Sequence, residues 1–125
     1  MSSSNRPLSP HLQVYKFPLT VKTSILHRIT GLLLAFGLVV FVYWLTALAT
    51  NTTAADELRA WLLTVPGQIL VYLWLLTFFY HFCNGIRHLF WDVGKGFTNE
   101  QAQRSAVAVL VVSLLLTVLT FFLAS

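Results

Sequence analysis

Two clusters of side chains in this sequence have the types and spacing to do chemistry. In the first, Ser24, His27, Arg28 and Gly31 recur at i, i+3, i+4 and i+7, which puts them on one face of a helix. A hydroxyl donor and a fixed cation at the edge of a hydrophobic run suit the polar head of an otherwise greasy ligand. The cation favours an anionic reduced form of that head, which makes a quinone the natural candidate. The plainer reading has His27 and Arg28 as interfacial anchors snorkelling toward lipid headgroups. A serine and a histidine on the same stripe weigh against it.

The second cluster is His81 and His88, two helical turns apart on one face, with Asn84 and Gly85 between them. If Arg87 marks the border of a membrane span, His81 lies about 9 Å into the hydrocarbon. An ionisable residue at that depth leaves three readings open: a neutral imidazole bonded to a neighbouring helix, a metal or haem ligand, or a proton relay. If it is a ligand, spacing limits the site. His88 is about 10.5 Å further along the axis, too far to share one ion when imidazole–metal bonds are near 2 Å. His27 stands at the helix border, His11 lies in the N-terminal arm, and the third apolar run has no histidine. No second histidine of this chain is then expected at the depth of His81, so a bis-histidine haem needs its other axial nitrogen from another subunit. His27, Arg28 and His88, nearer the surface, are placed to pair with haem propionates. Gly85 would let a flat macrocycle approach the backbone.

These residues need elements to hold them, and composition says in which solvent. The chain has 125 residues, one domain's worth, with 57% hydrophobic and only 10% charged. Soluble domains carry roughly a quarter charged residues, so a water-facing surface is excluded. The net charge of +4 comes from scattered Lys and Arg rather than a patch, which excludes nucleic-acid binding. The single cysteine, Cys83, excludes a disulfide framework or an iron–sulfur cluster held by this chain alone.

Three runs are long enough to span a bilayer. Ile29 to Ala49 is uncharged and covers about 31 Å as a helix. A second runs from Ile69 through His81 to Ile86, and a third from Ala106 to Ala124, at the end of the chain. The expected fold is an all-α membrane protein with helices over 24–49, 67–91 and 105–124 in one domain, 24–124, preceded by a polar arm, 1–23. Thr50 to Pro66 and Asp92 to Arg104 read as loops. Of the Lys and Arg, only Arg59 falls in the first loop, so the positive-inside bias puts the N-terminus in the cytoplasm and the C-terminus outside. The arm shows neither a secretory cleavage pattern nor an Arg-rich presequence.

The string Arg6-Pro-Leu-Ser-Pro-His-Leu-Gln-Val-Tyr15, then Ser24-Ile-Leu-His-Arg28 with Thr30-Gly31, then His81-Phe-Cys-Asn-Gly-Ile-Arg-His-Leu-Phe-Trp-Asp92, resembles the cytochrome b556 membrane-anchor subunits of succinate dehydrogenase. The likeness runs from Arg6 to about Gly96, and the third span agrees in length and position. It implies a complex in which this chain packs with a second small anchor subunit into a helical bundle, and the pair holds a flavoprotein with FAD and an iron–sulfur subunit on the membrane. Electrons from succinate then reach ubiquinone, within the tricarboxylic acid cycle and electron transport. The resemblance makes His81 the axial ligand of haem b, assigns Ser24 and Arg28 to the quinone site, and puts His27 with Arg28 near the haem propionates. It also implies a multi-pass protein of a bacterial cytoplasmic membrane, as does the short lead-in to the first motif. Arg87 and Asp92 read either as a helix-end ion pair or as a route for protons to reduced quinone. A small proton or solute channel and a purely structural anchor are the competing classes. Three spans without an internal repeat do not suggest alternating access.

Overall fold

The computed structural model describes residues 16–50 and 53–124, so Arg6, His11 and Tyr15 of the first motif lie outside the described residues. Four helices follow in order: α1, Leu19–Ala49; α2, Thr53–Leu62; α3, Val65–Asp92; and α4, Asn99–Ala124. Among the described residues there is no strand. Helices α1, α3 and α4 are each long and apolar enough to cross a membrane. The all-α, three-span architecture is therefore as the sequence implies.

Two boundaries and one element differ from expectation, each for a local reason. Helix α1 starts at Leu19, where Pro18 precedes it and its carbonyl accepts from the Val21 and Lys22 amides at 3.0 and 3.2 Å. Proline has no amide to satisfy, so it serves well at such a start. Helix α4 starts at Asn99, because the Thr98 hydroxyl caps the Gln101 amide at 3.3 Å and Glu100 pairs with Arg104 one turn on, at 2.6 Å. The stretch Thr53–Leu62, expected as loop, is helix α2. Ala55, Leu58 and Leu62 form its inward stripe, Ala55 being buried and the two leucines lining a cleft, while Asp56, Glu57 and Arg59 face outward or sideways.

Helices α1 and α3 run antiparallel, and α4 returns beside α3, so the start of α1, the end of α3 and the start of α4 meet at one end. The α3–α4 link turns on two left-handed glycines, Gly94 (φ 77°) and Gly96 (φ 82°). The Lys95 amide reaches back to the Phe90 carbonyl at 3.0 Å, and the Trp91 indole donates to the Gly96 carbonyl at 3.2 Å. Along α4 the buried positions are Ala106, Val109, Ser113 and Thr117, a stripe of small residues that lets backbones approach closely. Ser113 and Thr117 return their hydroxyls to the Leu110 and Ser113 carbonyls at 3.0 and 2.9 Å, so the stripe hides its own polarity. At the opposite end, α2 lies over an apolar cleft of about 450 Å³ between α1 and α3, lined by Gly37, Trp44, Leu58, Leu62 and Trp74 among others.

Candidate functional site

The end where α1, α3 and α4 meet holds most of the buried polar side chains among the described residues. At its centre is Arg87 on α3, only 4% exposed. Its guanidinium donates to Ser105 Oγ at 2.9 Å, Thr23 Oγ1 at 3.0 Å, Asn84 Oδ1 at 3.2 Å and the Ala102 carbonyl at 2.9 Å. It also sits 4.2 Å over the Trp91 ring. One side chain thus ties all three spanning helices together. The buried Tyr80 hydroxyl adds a second tie, donating to the Thr23 carbonyl at 2.7 Å. The sequence reading of a helix-end pair between Arg87 and Asp92 is corrected: Arg87 points into the bundle, Asp92 is exposed, and the only ion pair among the described residues is Arg104 with Glu100. The physical reason is that a fork of five donors can be satisfied inside a bundle by hydroxyl, amide and carbonyl oxygens without a carboxylate.

Four members of this knot, on α1 and α3, adjoin a candidate site residue. Thr23 precedes Ser24, Tyr80 precedes His81, Arg87 precedes His88, and Asn84 Nδ2 lies 3.4 Å from His88 Nε2. One residue is a rotation of about 100° on a helix, so the knot faces the core while the site residues face the adjoining groove.

In that groove the three described histidines converge. The His27 and His81 rings stack at 4.0 Å between centroids, 12° from parallel, and His27 meets His88 at 5.0 Å. His81 and His88 remain apart along α3 as their spacing requires, with His27 between them. The helix border expected near Ser24 lies further out, at Leu19. Because α1 begins at Leu19, His27 is more than two turns inside the helix. Near-parallel stacking does not aim the ring nitrogens at a common point. Among the described residues no group of three or more His, Cys, Asp or Glu is arranged to hold a metal ion.

His81 is the most constrained of the three. Its Nδ1 lies 3.2 Å from the His27 carbonyl and 3.2 Å from Thr30 Oγ1. A carbonyl only accepts, so Nδ1 carries the proton and Nε2 keeps its lone pair, with no partner among the described residues. The α1 backbone comes close here because position 31 is glycine: an added Cβ would stand 2.9 Å from His81 Cε1. Gly85 faces His27, where an added Cβ would be in ordinary contact at 4.0 Å. His27 Nδ1 is the one buried side-chain nitrogen or oxygen without a hydrogen-bond partner among the described residues.

Ser24 is half-buried and Arg28 exposed on the same stretch of α1. The nearby Thr23 and Thr30 hydroxyls return to backbone carbonyls of their own helix, at 3.0 and 2.9 Å. The Ser24 hydroxyl makes no such bond among the described residues, and neither does Arg28 make an ion pair. Both keep their donors available. Sequence reasoning missed Thr30, Thr23 and Tyr80. Thr30 was within the quoted motif but not given a role, and a spacing argument made within one helix does not reveal which residue faces a histidine on another.

Three apolar crossings gathered around a polar, histidine-lined end define a small integral membrane subunit with its functional groups at one end. The family model for the succinate dehydrogenase/fumarate reductase transmembrane subunit matches residues 2–120, and the chain belongs to that family. It is 44% identical over 124 residues to the succinate dehydrogenase cytochrome b556 subunit of Paracoccus denitrificans, covering 96% of this chain and 92% of the relative. It is 38% identical over 116 residues to the protein of that name from Rickettsia felis, covering 93% and 90%. The mitochondrial succinate dehydrogenase cytochrome b560 subunit of Homo sapiens is 42% identical over 114 residues, covering 90% of this chain and 68% of its own length.

Proposed function

We propose that this chain is the haem b-binding membrane anchor of a succinate dehydrogenase, through which electrons from succinate pass by way of an iron–sulfur partner to ubiquinone. The observation that carries the proposal is the family match over residues 2–120, and the contact of His81 Nδ1 with the α1 backbone is in keeping with it. An axial histidine needs one nitrogen free and the other held by an oxygen of the protein. His81 has Nδ1 held at 3.2 Å and Nε2 without a partner. His81 would be this chain's ligand to the haem iron, and a second anchor subunit would supply another. Bound there, haem b would supply a one-electron couple.

The other residues divide the remaining work. His27, with its unpartnered buried Nδ1, Arg28 and His88 orient the propionates by charge-assisted hydrogen bonds. Ser24 donates to a quinone oxygen and Arg28 holds positive potential beside it, favouring the reduced head. Succinate oxidation, flavin and iron–sulfur clusters belong to the partner subunits, since this chain has one cysteine and no nucleotide-binding fingerprint. The cationic residues Lys16, Lys22, Arg28, Lys95 and Arg104 gather at the site end, while Arg59 is alone at the other. That asymmetry supports a cytoplasmic N-terminus in a bacterial inner membrane.

The quinone assignment is tested in the assembled complex. Ser24→Ala and Arg28→Leu should lower succinate:quinone turnover about tenfold, the loss of one hydrogen bond to the reacting head. Succinate oxidation with a soluble artificial acceptor should hold at its wild-type rate. Equal loss of both activities would remove Ser24 and Arg28 from the quinone site.

A further inference from the structure

We propose that Thr30 is a positioning residue that fixes the tautomer of His81 and strengthens it as an electron donor to iron; the inference rests on the haem reading above. Thr30 is 5% exposed on α1 and meets a residue 51 positions away in the chain. Its hydroxyl proton is committed, since Oγ1 donates to the His27 carbonyl at 2.9 Å. The oxygen can then offer only a lone pair to His81 Nδ1, 3.2 Å away. The His27 carbonyl offers another at the same distance, 3.2 Å. One N–H is shared between two acceptors, and the acceptors are themselves joined by a hydrogen bond.

The imidazole is held sterically as well. Gly31 lets it lie against the α1 backbone, where an added Cβ would come within 2.9 Å of Cε1. The His27 ring covers one of its faces at 4.0 Å. Rotation that would bring Nδ1 round in place of Nε2 is opposed from three sides. Accepting a hydrogen bond from Nδ1–H pushes electron density onto the ring, which makes Nε2 a better donor and favours ferric over ferrous iron. Without the Thr30 hydroxyl, the His27 carbonyl is left as the one acceptor and the ferric form loses part of that support.

The test is a spectroscopic redox titration of the detergent-extracted whole complex carrying Thr30→Val, Thr30→Ala or Thr30→Ser. Valine keeps the volume and removes the hydroxyl; alanine removes it without bulk, should valine hinder assembly. Serine restores the hydroxyl alone. In the valine and alanine variants the ferric-to-ferrous ratio at a fixed potential should fall by up to about tenfold, a rise of ~59 mV for one electron. The serine variant should titrate with wild type. If all three variants shift together, packing and not the hydroxyl is responsible, and if none shifts Thr30 has no hold on the iron; either result overturns the inference. His81→Ala in the same titration separates this from failure of the haem reading. An unchanged spectrum and potential in that variant would remove the axial ligand itself, and the role of Thr30 with it.

Discussion

At the scale of single residues, the two nitrogens of His81 differ in what they meet. Nδ1 is spent on α1, and Nε2 is kept. The same division depends on a missing side chain at position 31. Gly31→Ala puts a methyl 2.9 Å from His81 Cε1, so either the ring or the helix must give way. Such overpacking costs about 1–3 kcal/mol, and we expect lower haem content per purified complex, read from the pyridine haemochrome. Full occupancy in Gly31→Ala would mean that the close approach is not needed. The candidate residues themselves were legible in the sequence, because helical periodicity puts Ser24, His27, Arg28 and Gly31 on one face and His81 with His88 on another. What periodicity within a helix leaves open is the register between helices. For that reason the stacking of His27 on His81 and the part of Thr30 could be read only from the structure.

At the scale of elements, three helices are locked at the site end by Arg87. The cation is buried without a carboxylate and draws its partners from α1, α3 and α4. Arg87→Met would leave the buried Thr23 Oγ1 and Asn84 Oδ1 without that donor, at roughly 1–3 kcal/mol for each buried acceptor left unpaired. We expect a clear drop in the thermal midpoint of the extracted complex. Arg87→Lys should recover only part of it, since an ammonium cannot present a planar fork to oxygens on three sides. A lysine variant as stable as wild type would show that charge alone suffices. The position of Arg87 was misjudged from sequence because a lone arginine near the end of an apolar run reads as a lipid-border residue. What the apolar run hides is that the inward face of α3 is polar near its end, with Tyr80, Asn84 and Arg87 buried. Helix α2 was missed for the opposite reason. Asp56, Glu57 and Arg59 made Thr53–Leu62 read as loop, whereas the apolar stripe of Ala55, Leu58 and Leu62 is what fixes it over the cleft.

At the scale of the whole molecule, most of the large apolar side chains of α1 are exposed, Phe36 at 66% and Val39 at 67% among them. A membrane is the surrounding that suits such residues, since water would not tolerate a belt of this size. Extraction in a mild detergent should bring out a second small hydrophobic subunit together with a flavoprotein and an iron–sulfur protein; recovery of this chain by itself would contradict the anchor reading. The fold class was legible at this scale from composition and three charge-free runs. A partner is expected from the proposed haem site, which asks for a nitrogen beyond the one at His81. The most direct measurement is the reduced-minus-oxidised optical spectrum of the assembled complex with His81→Ala beside His88→Ala. Loss or displacement of the b-type bands in the first, with the bands kept in the second, is the expected result. Unaltered bands in His81→Ala would contradict axial ligation by this residue.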